Sequence, residues 1–334
     1  MALTLDDLAA LSGVSRATVS RVINGGSVAP STREKVAEVL QRTGYRPNLA
    51  ARSLASGRSG VIGVVMHLDP PLLFGHPYFS GLLQGMSNVL TEHATGMMLW
   101  LRNRSKPEML DDILRMGLID GLLVTAHWQA DPLVEGLLAS AIPTVLIGHH
   151  QEDPGASYVG VDHTAGAAEV TRHLLAIGRR RIGHITGVAG SVSGRDRAIG
   201  HHQATAAAGL ADPDLVVAGD FNPPSGREAA EILIDRSVDA IFCANDATAI
   251  GALEAIRARG LRVPEDIAVA GFDDLDFAAT MDPPLTTIRQ QVTEQGEEAG
   301  RALLGLIADP DSGPRRVLLP TTLMVRESTI GASR

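Results

Sequence analysis

The chain has 334 residues, of which 45% are hydrophobic and 20% charged, and its net charge is −9. This balance is typical of a folded protein of two or three domains, and no apolar run approaches the roughly 20 residues that span a bilayer. The single cysteine, Cys243, excludes an internal disulfide, and the acidic start MALTLDDLAALSG lacks a signal-peptide pattern, so we expect a cytoplasmic protein.

The charge is unevenly distributed along the chain. Residues 1–58 contain eight basic and four acidic side chains and carry +4, so the remaining residues must carry −13 to give the net charge of −9. A basic segment joined to an acidic body is typical of a head that binds nucleic acid.

The first 44 residues predict three short helices. Their inward-facing residues recur at helical spacing, and polar capping residues and glycines separate them. The expected N-terminal caps are Thr4 with Asp7, Ser15, and Ser31 with Glu34. The expected C-terminal breaks are Gly13, Gly25 and Gly44, and the expected core residues are Leu5, Leu8, Ala9, Val19, Val22, Ile23, Val36, Val39 and Leu40.

Two short helices joined by a tight turn, with a third packed across them, predict a helix-turn-helix head. The second helix then enters the major groove, where Arg16 can bind a guanine and Ala17 can contact a thymine methyl. A small helical bundle with a solvated arginine surface is the alternative. The side chains that we expect at the DNA are Thr4, Ser15, Arg16, Ala17, Thr18, Ser20, Arg21 and Asn24.

Residues 47–58 predict a fourth, marginal helix. Pro47 can begin it and Gly57 can end it, but about ten residues are too few for a stable isolated helix, so we expect disorder without DNA. Leu54 is an apolar residue that can wedge between base steps in the minor groove. A linker helix that covers the next domain explains the same residues equally well.

From residue 61 onward, apolar strands alternate with amphipathic helices. The predicted buried parallel strands are VIGVVM, MMLWL, GLLVTA, PTVLIG, RIGHIT, DAIFCAN and DIAVAGFD. The predicted helices are 78–94, 107–116, 163–177, 195–209, 225–235, 246–259 and 292–307. This alternation predicts parallel sheets covered by helices, and the number of strands predicts two lobes. Because ligands bind beyond the carboxyl ends of such strands, the lobes should form a ligand cleft.

Polar residues follow several of these strands. Asn245 and Asp273 each come after a strand, and Arg197 is expected to open a helix after another. A guanidinium or a carboxylate can hold two vicinal hydroxyl groups of a sugar, although Asp and Asn at strand ends are also common as helix caps. The predicted ligand-binding residues are Arg197, Asn245, Asp273, Phe221, His67 and Thr125.

We find no pattern for catalysis, a metal or a cofactor. The 11 histidines include pairs at 149–150 and 201–202, but adjacent helical residues point about 100° apart, and no cysteine accompanies them. The glycines at 187, 190 and 194 do not form a dinucleotide fingerprint, and no Walker loop is present. We therefore expect neither enzymatic activity nor a metal or cofactor.

The first sixty residues resemble the head and hinge of the lactose-repressor/galactose-repressor (LacI/GalR) family, over the stretch GVSRATVSRVINGGSVAPSTREKVAEVLQRTGYRPNLAARSLASGRSGVIGVV. The resemblance implies that Arg16 and Ala17 read bases in each half-site, and that Leu54 of two protomers intercalates at the operator centre. The remaining DNA-binding residues that it implies are Tyr45, Asn48, Ala51 and Arg52, of which the last three support the hinge helix.

The rest of the chain, to about residue 329, resembles that family's effector domain, which is similar to periplasmic sugar-binding proteins. The stretches that carry this likeness are HPYFSGLLQGM, IDGLLV, IPTVLIG, YVGVDHTAGAAEVTRHLLAIGRRRIGHITG, FCANDATAIGALEAIRARGLRVPEDIAVAGFDD and PPLTTIRQ. The implied effector contacts are Arg197, Asn245, Asp273 and Phe221. His163 and Gly148-His149 depart from the family's usual residues near the cleft rim.

The resemblance implies an N-terminal all-α helix-turn-helix head plus an α/β two-lobed, type I periplasmic-binding-protein-like effector domain. The implied domains are 1–46 for the head, 47–58 for the hinge helix and 59–334 for the effector and dimerisation domain. Lobe 1 is expected at about 60–160 and 290–319, and lobe 2 at about 161–288 and 321–330.

The function that we predict is a transcriptional repressor that a small sugar releases from a palindromic operator. A corepressor such as a nucleobase is the alternative ligand. A solute-binding protein and a sugar-metabolising enzyme are disfavoured, because the chain has a helix-turn-helix pattern and no catalytic motif. The expected partners are operator DNA, a sugar and a second copy of the chain in a homodimer, because the chain's end lacks a heptad repeat.

Overall fold

The computed structural model describes residues 3–23, 26–45, 58–66, 70–101, 109–125, 128, 130–148 and 154–331. The chain divides into two compact units, residues 1–60 and residues 61–334. We call the first unit the head and the second unit the body.

The described part of the head contains α1 (Leu5–Ser12), α2 (Arg16–Ile23) and α3 (Pro30–Thr43). The predicted capping box of α1 is confirmed, since the Thr4 hydroxyl accepts from the Asp7 N–H and the Asp7 carboxylate accepts from the Thr4 N–H. The predicted cap at Ser31 is wrong. Helix α3 begins at Pro30, whose fixed φ suits a first turn and whose missing N–H needs no cap.

The three helices of the head share one hydrophobic core. Leu8, Val19 and Val36 are fully buried and Val39 is nearly so. The partly buried residues that pack around them are Leu5, Ala9, Val14, Val22, Ile23, Leu40 and Tyr45. Apart from Val14 and Tyr45, which lie outside the helices, these positions are those that the helical periodicity predicts, because a helix that meets its neighbours on one side buries a single stripe.

The body alternates strands and helices along the chain. Its first half contains β1 (Val61–Met66), α4 (Pro70–Gly75), α5 (Pro77–Glu92), β2 (Gly96–Leu101), α6 (Met109–Met116), β3 (Gly121–Thr125), α7 (Pro132–Leu138), β4 (Thr144–Ile147), β5 (Ser157–Val161) and α8 (His163–Ala176). It continues with β6 (Ile182–Ile185), α9 (Val192–Ala207), β7 (Val216–Val217), α10 (Pro223–Asp235), β8 (Ala240–Cys243), α11 (Asp246–Ala258), β9 (Ala268–Ala270), β10 (Thr287–Arg289), α12 (Val292–Ala308), β11 (Arg316–Leu319), β12 (Thr322–Met324) and α13 (Glu327–Ile330).

Lobe 1 is a parallel sheet with the strand order β11-β5-β4-β3-β1-β2. Helices α5 and α12 cover one face, and helices α6 and α7 cover the other. The first helix pair packs closely at Gly85 and Gly296, where a Cβ atom would lie only 2.0 Å and 2.2 Å from backbone carbonyl oxygens of the facing helix. Glycine is therefore required at this crossing.

Lobe 2 is a parallel sheet with the order β7-β6-β8-β9, beside a two-stranded antiparallel ribbon of β10 and β12. Helices α8 and α9 pack on one face of the sheet, and α10 and α11 pack on the other. The two lobes thus share a helix–sheet–helix architecture, which confirms the predicted fold class.

The chain passes between the lobes at three places. One passage lies between β5 and α8, the second between β10 and α12, and the third between β11 and β12. Because β10 and β12 pair with each other in register, with Ile288 opposite Leu323, two of the three passages leave lobe 2 from a single ribbon.

Two details of the body differ from the predicted pattern. MMLWL lies in β2, an edge strand on which Met97 and Leu99 are 39% and 36% exposed, so the prediction of a buried strand is wrong there. An apolar run in the sequence predicts a strand but does not indicate whether that strand lies at the centre or at the edge of the sheet. Helix α9 begins at Val192, capped by Ser191, so Arg197 lies within the helix and does not open it.

Candidate functional site

Helix α2 of the head presents polar side chains on its outer face. Arg16, Ala17 and Arg21 are exposed, and Thr18 and Ser20 are half-buried. The opposite face carries the fully buried Val19. The structure therefore brings the predicted base-reading residues together on one exposed helix surface, which is the arrangement that entry into a major groove requires.

The two predicted caps flank this surface. The Ser15 hydroxyl lies 2.9 Å from the Thr18 hydroxyl and accepts from the Thr18 N–H at 3.2 Å. The Thr4 hydroxyl donates to the Asp7 carboxylate at 2.7 Å. Caps of this kind hold the first turn of each helix, where backbone N–H groups can also bind phosphate.

One further predicted DNA contact, Tyr45, lies at the end of the described residues 26–45 of the head. Tyr45 is half-buried and packs against the head core, so its ring contributes to the stability of the head. Outside the described residues lie Asn24, Asn48, Ala51, Arg52 and Leu54, together with the ligand candidate His67.

A group of buried polar residues in the body centres on Arg197. Its guanidinium donates to the Asp273 carboxylate at 3.2 Å and to the carbonyl oxygen of Ala244. Its Nε lies 3.4 Å from Nδ1 of His163, and its Cζ lies 3.9 Å from the centre of the Phe272 ring. Arg197 is only 4% exposed, so its charge is balanced by these contacts rather than by bulk water.

Asp273 has an unusual backbone, with φ at 114°. Its N–H donates to the Ile288 carbonyl at 2.8 Å, and its carboxylate also accepts from the side-chain amide of Gln290 at 2.5 Å. Burial raises the pKa of Asp273, and the neighbouring Arg197 guanidinium opposes that shift. A strained residue held from several sides is typical of a functional position.

Asn245 caps α11 and also reaches across to lobe 1. Its Oδ1 accepts from both the N–H and the hydroxyl of Thr248, so its amide nitrogen is the group that faces the cleft. That nitrogen donates to His76 Nε2 at 3.0 Å and to the Phe221 carbonyl at 3.1 Å. His76 Nε2 is therefore an acceptor, and the neutral ring carries its proton on Nδ1.

His76 and its neighbours form the lobe 1 side of the cleft. His76 Nδ1 is buried without a hydrogen-bond partner among the described residues. Burial lowers the pKa of His76, Asp273 opposes the shift and Arg197 adds to it. Burial also raises the pKa of Tyr78, whose hydroxyl donates to Gln295 at 3.2 Å. Both rings are thus uncharged at neutral pH.

Aromatic rings border the polar group. The Phe221 centroid lies 5.9 Å from Arg197 Cζ, and the Phe221 ring packs on Gly187, where a Cβ would lie 2.0 Å from it. Phe221 has φ at 70°. On the opposite side Trp128 of lobe 1 makes an antiparallel bridge with Ser191 of lobe 2, so the lobes meet across the cleft.

Four of the six predicted ligand-binding residues lie together in the body. Arg197, Asn245, Asp273 and Phe221 come together in lobe 2. Thr125 is buried as the last residue of β3 in lobe 1. The prediction missed His76, Gln290 and Trp128. Gln290 directly follows β10, so its place at a strand end is a signal that could have found it, whereas His76 and Trp128 carry no such signal. His163, noted as a departure at the rim, lies directly beside Arg197.

The described residues contain no group of three or more His, Cys, Asp or Glu side chains that could hold a metal ion. In that same part of the chain, no helix is both long and apolar enough to cross a membrane.

Comparisons with known proteins agree with both halves of this description. Residues 4–48 match the family model "Bacterial regulatory proteins, lacI family", and residues 171–329 match "Periplasmic binding protein-like domain". The chain is 39% identical to the HTH-type transcriptional regulator CelR of Thermobifida fusca, over 97% of this chain and 98% of that protein.

Solved structures show the same likeness. A "transcriptional regulator CelR-cellobiose complex" matches with a TM-score of 0.77 and 38% identity, over 98% of this chain and 99% of that one. A Lac repressor dimer bound to operator and the anti-inducer ONPF matches with a TM-score of 0.87 and 29% identity, also over 98% and 99%.

Proposed function

The chain belongs to the lacI family of bacterial DNA-binding transcriptional regulators, which carry a ligand-binding domain, and we propose that it is a repressor released from its operator by a small sugar. The sugar binds in the body between the two lobes. As a DNA-binding regulator the protein acts in the cytoplasm.

The observation that carries the sugar assignment is the buried group of Arg197, Asp273, Asn245 and Gln290 where the lobes meet. A guanidinium, a carboxylate and amides offer donors and acceptors together, which suits hydroxyl groups that both donate and accept. Ligand hydroxyls would also satisfy His76 Nδ1 and Gln290 Oε1, which are buried without hydrogen-bond partners among the described atoms.

The similar protein CelR supports the class of ligand, because its solved complex contains cellobiose. A β-linked disaccharide offers two rings, and two aromatic rings border the cleft: the Phe221 ring of lobe 2 packs on Gly187, and the Trp128 ring of lobe 1 packs on Gly190. Aromatic faces pack well against the C–H surfaces of pyranose rings. Cellobiose is therefore the sugar to test first.

A homodimer on a pseudo-palindromic operator is part of the proposal, since a helix-turn-helix head reads one half-site. The edge strand β2, helix α6 and the segment that follows α6 expose several large apolar side chains, which a second copy would cover. These side chains are Met97, Leu99, Leu114, Met116 and Leu118.

The test is a fluorescence anisotropy titration of a labelled operator, selected from palindromes with a symmetric CpG centre. Operator affinity is measured without ligand, with a panel of mono- and disaccharides that includes cellobiose, and with nucleobases. Release by one sugar is the expected result. Operator binding that a nucleobase strengthens and no sugar weakens would replace the inducer with a corepressor, and no preference over random DNA would contradict the repressor itself.

A further inference from the structure

Asp274 lies next to the cleft residue Asp273 but faces away from the polar group around Arg197. Its carboxylate is 4% exposed and binds two arginines, one with each oxygen. Arg289 Nε donates to Oδ2 at 2.6 Å, and Arg326 Nη2 donates to Oδ1 at 2.6 Å. Hydrogen bonds between oppositely charged groups are about twice as strong as those between neutral groups.

The two arginines belong to the ribbon from which the chain leaves lobe 2. Arg289 is the last residue of β10, immediately before the passage to α12. Arg326 follows β12, which receives the passage from β11, and its second nitrogen donates to the Leu285 carbonyl at 2.7 Å. One buried carboxylate therefore ties together the lobe 2 ends of two of the three passages between the lobes.

The backbone joins this tie to the cleft. Asp273 and Asp274 have φ values of 114° and 55°, so two successive residues other than glycine hold uncommon conformations. The Asp273 N–H donates to Ile288 at 2.8 Å, and the Gln290 N–H donates to the Asp273 carbonyl at 3.3 Å. Because Asp273 and Asp274 share a peptide bond and Asp273 is hydrogen-bonded to the segment of β10 on both sides, a backbone shift at Asp273 also moves Asp274.

We propose that Asp274 is the positioning residue that couples occupancy of the cleft at Asp273 to the arrangement of the two lobes. A ligand that binds the Asp273 carboxylate shifts the Asp273–Asp274 backbone, and Asp274 carries that shift to Arg289 and Arg326 on the ribbon. The inference rests on the proposed function, in which the cleft holds the sugar and its occupancy controls DNA affinity. Coupling of this kind requires that each lobe arrangement has different contacts, and the carboxylate tie is such a contact.

The coupling is measured with Asp274→Asn, which removes the charge and keeps the size. For each protein we compare the operator Kd with and without saturating cellobiose, and the cellobiose Kd of the free protein by calorimetry. Cellobiose should change the operator Kd of the natural protein by about 5–150-fold, the usual range for coupled sites. In Asp274→Asn this change should fall to within about threefold of unity while the cellobiose Kd shifts by less than about threefold.

Two further variants separate coupling from folding. Arg289→Gln keeps the Asp274–Arg326 pair, and its side chain is 49% exposed, so it should fold normally and lose part of the coupling. Asp282→Asn is the control, since Asp282 pairs with Arg257 on the surface of the same lobe and is 96% exposed. A merely structural role would give a different result. The variant would then bind both operator and cellobiose more weakly as its Tm falls, and the ratio of the operator Kd values with and without cellobiose would not change.

A second measurement decides the inference without any ligand. Spin labels at Glu92→Cys in lobe 1 and Glu231→Cys in lobe 2, both exposed, report the distance between the lobes, while Cys243 is fully buried. Asp274→Asn should shift or broaden that distance distribution, and Asp282→Asn should not. An unchanged distribution contradicts the inference. If no sugar makes the natural protein release DNA, the proposed function fails. This distance measurement still tests the role of Asp274 in that case.

Discussion

The head and the body place the arginines for which we predict function in opposite environments. The Arg16 side chain of the head is 66% exposed and has a loose ion pair with Asp6 at 3.7 Å, whereas the Arg197 side chain of the body is 5% exposed and has a carboxylate, a carbonyl and two rings around it. An exposed arginine contributes little to stability and is free to bind DNA. A buried one is part of the folded structure before any ligand arrives.

The sharpest test of this contrast is Arg197→Ala. Removing the guanidinium leaves the Asp273 carboxylate buried without its charged partner, so we expect a loss of about 3–5 kcal/mol in the free energy of unfolding and no response to sugar. Denaturant unfolding and calorimetry measure the two effects. Arg227→Ala, in the same lobe, is the control and should change neither by much, because Arg227 and its partner Glu231 are both exposed, at 53% and 48%.

Acid should destabilise the body through a histidine stack in lobe 2. His184 is fully buried, lies 5.0 Å from the His201 ring and 4.7 Å from the Phe242 ring, and burial lowers its pKa to about 4. His184 binds a proton more readily in the unfolded chain than in the folded one. The free energy of unfolding therefore has its full value above about pH 6.5 and falls toward pH 4, by up to about 3 kcal/mol. His184→Phe keeps a stacked ring and should flatten this slope; an unchanged slope would assign the acid sensitivity elsewhere.

Removing the exposed arginine of the head should weaken DNA binding and leave the stability of the protein nearly unchanged. Arg16→Ala removes an exposed side chain from α2, so we expect specific operator binding to weaken by about 1–3 kcal/mol with a stability change within about 0.5 kcal/mol. Anisotropy with the selected operator and with a scrambled sequence measures the specific part. Lys35→Ala on α3 should weaken binding to the selected operator and to the scrambled sequence equally. If Arg16→Ala also weakened binding to the two DNAs equally, Arg16 would not read bases.

The smallest expected effect lies at a helix cap of the head. Thr4→Ala removes the hydroxyl that accepts from the Asp7 N–H, so α1 should lose about 1 kcal/mol of protection, measured by amide hydrogen exchange. Ser31→Ala is the counterpart, because Ser31 is exposed inside α3 and caps nothing in the structure. If Ser31→Ala lowered the protection of α3 as much as Thr4→Ala lowers that of α1, Ser31 would cap α3 as the sequence predicts.

Local patterns were enough to predict the helices of the head, the alternation of strands and helices in the body, and four of the cleft residues. Thr4 with Asp7 and Gly13 act within a few residues of each other, so their roles follow from local geometry. Asn245 and Asp273 were found because each lies just beyond a strand, where parallel sheets bind ligands, whereas Arg197 reaches the same cleft from within α9.

Only the tertiary structure decided what lies opposite those residues. His76 meets Asn245 across 169 positions of sequence, and Arg326 meets Asp274 across 52, distances over which no periodicity carries information. The same holds for β2, whose apolar run reads as a buried strand but lies at the sheet edge. The sequence by itself determined which segments fold and which of their ends are polar, because those properties are local. The pairing of the lobes, and with it the tie from the cleft to the ribbon, depends on contacts that exist only after the sheets have packed.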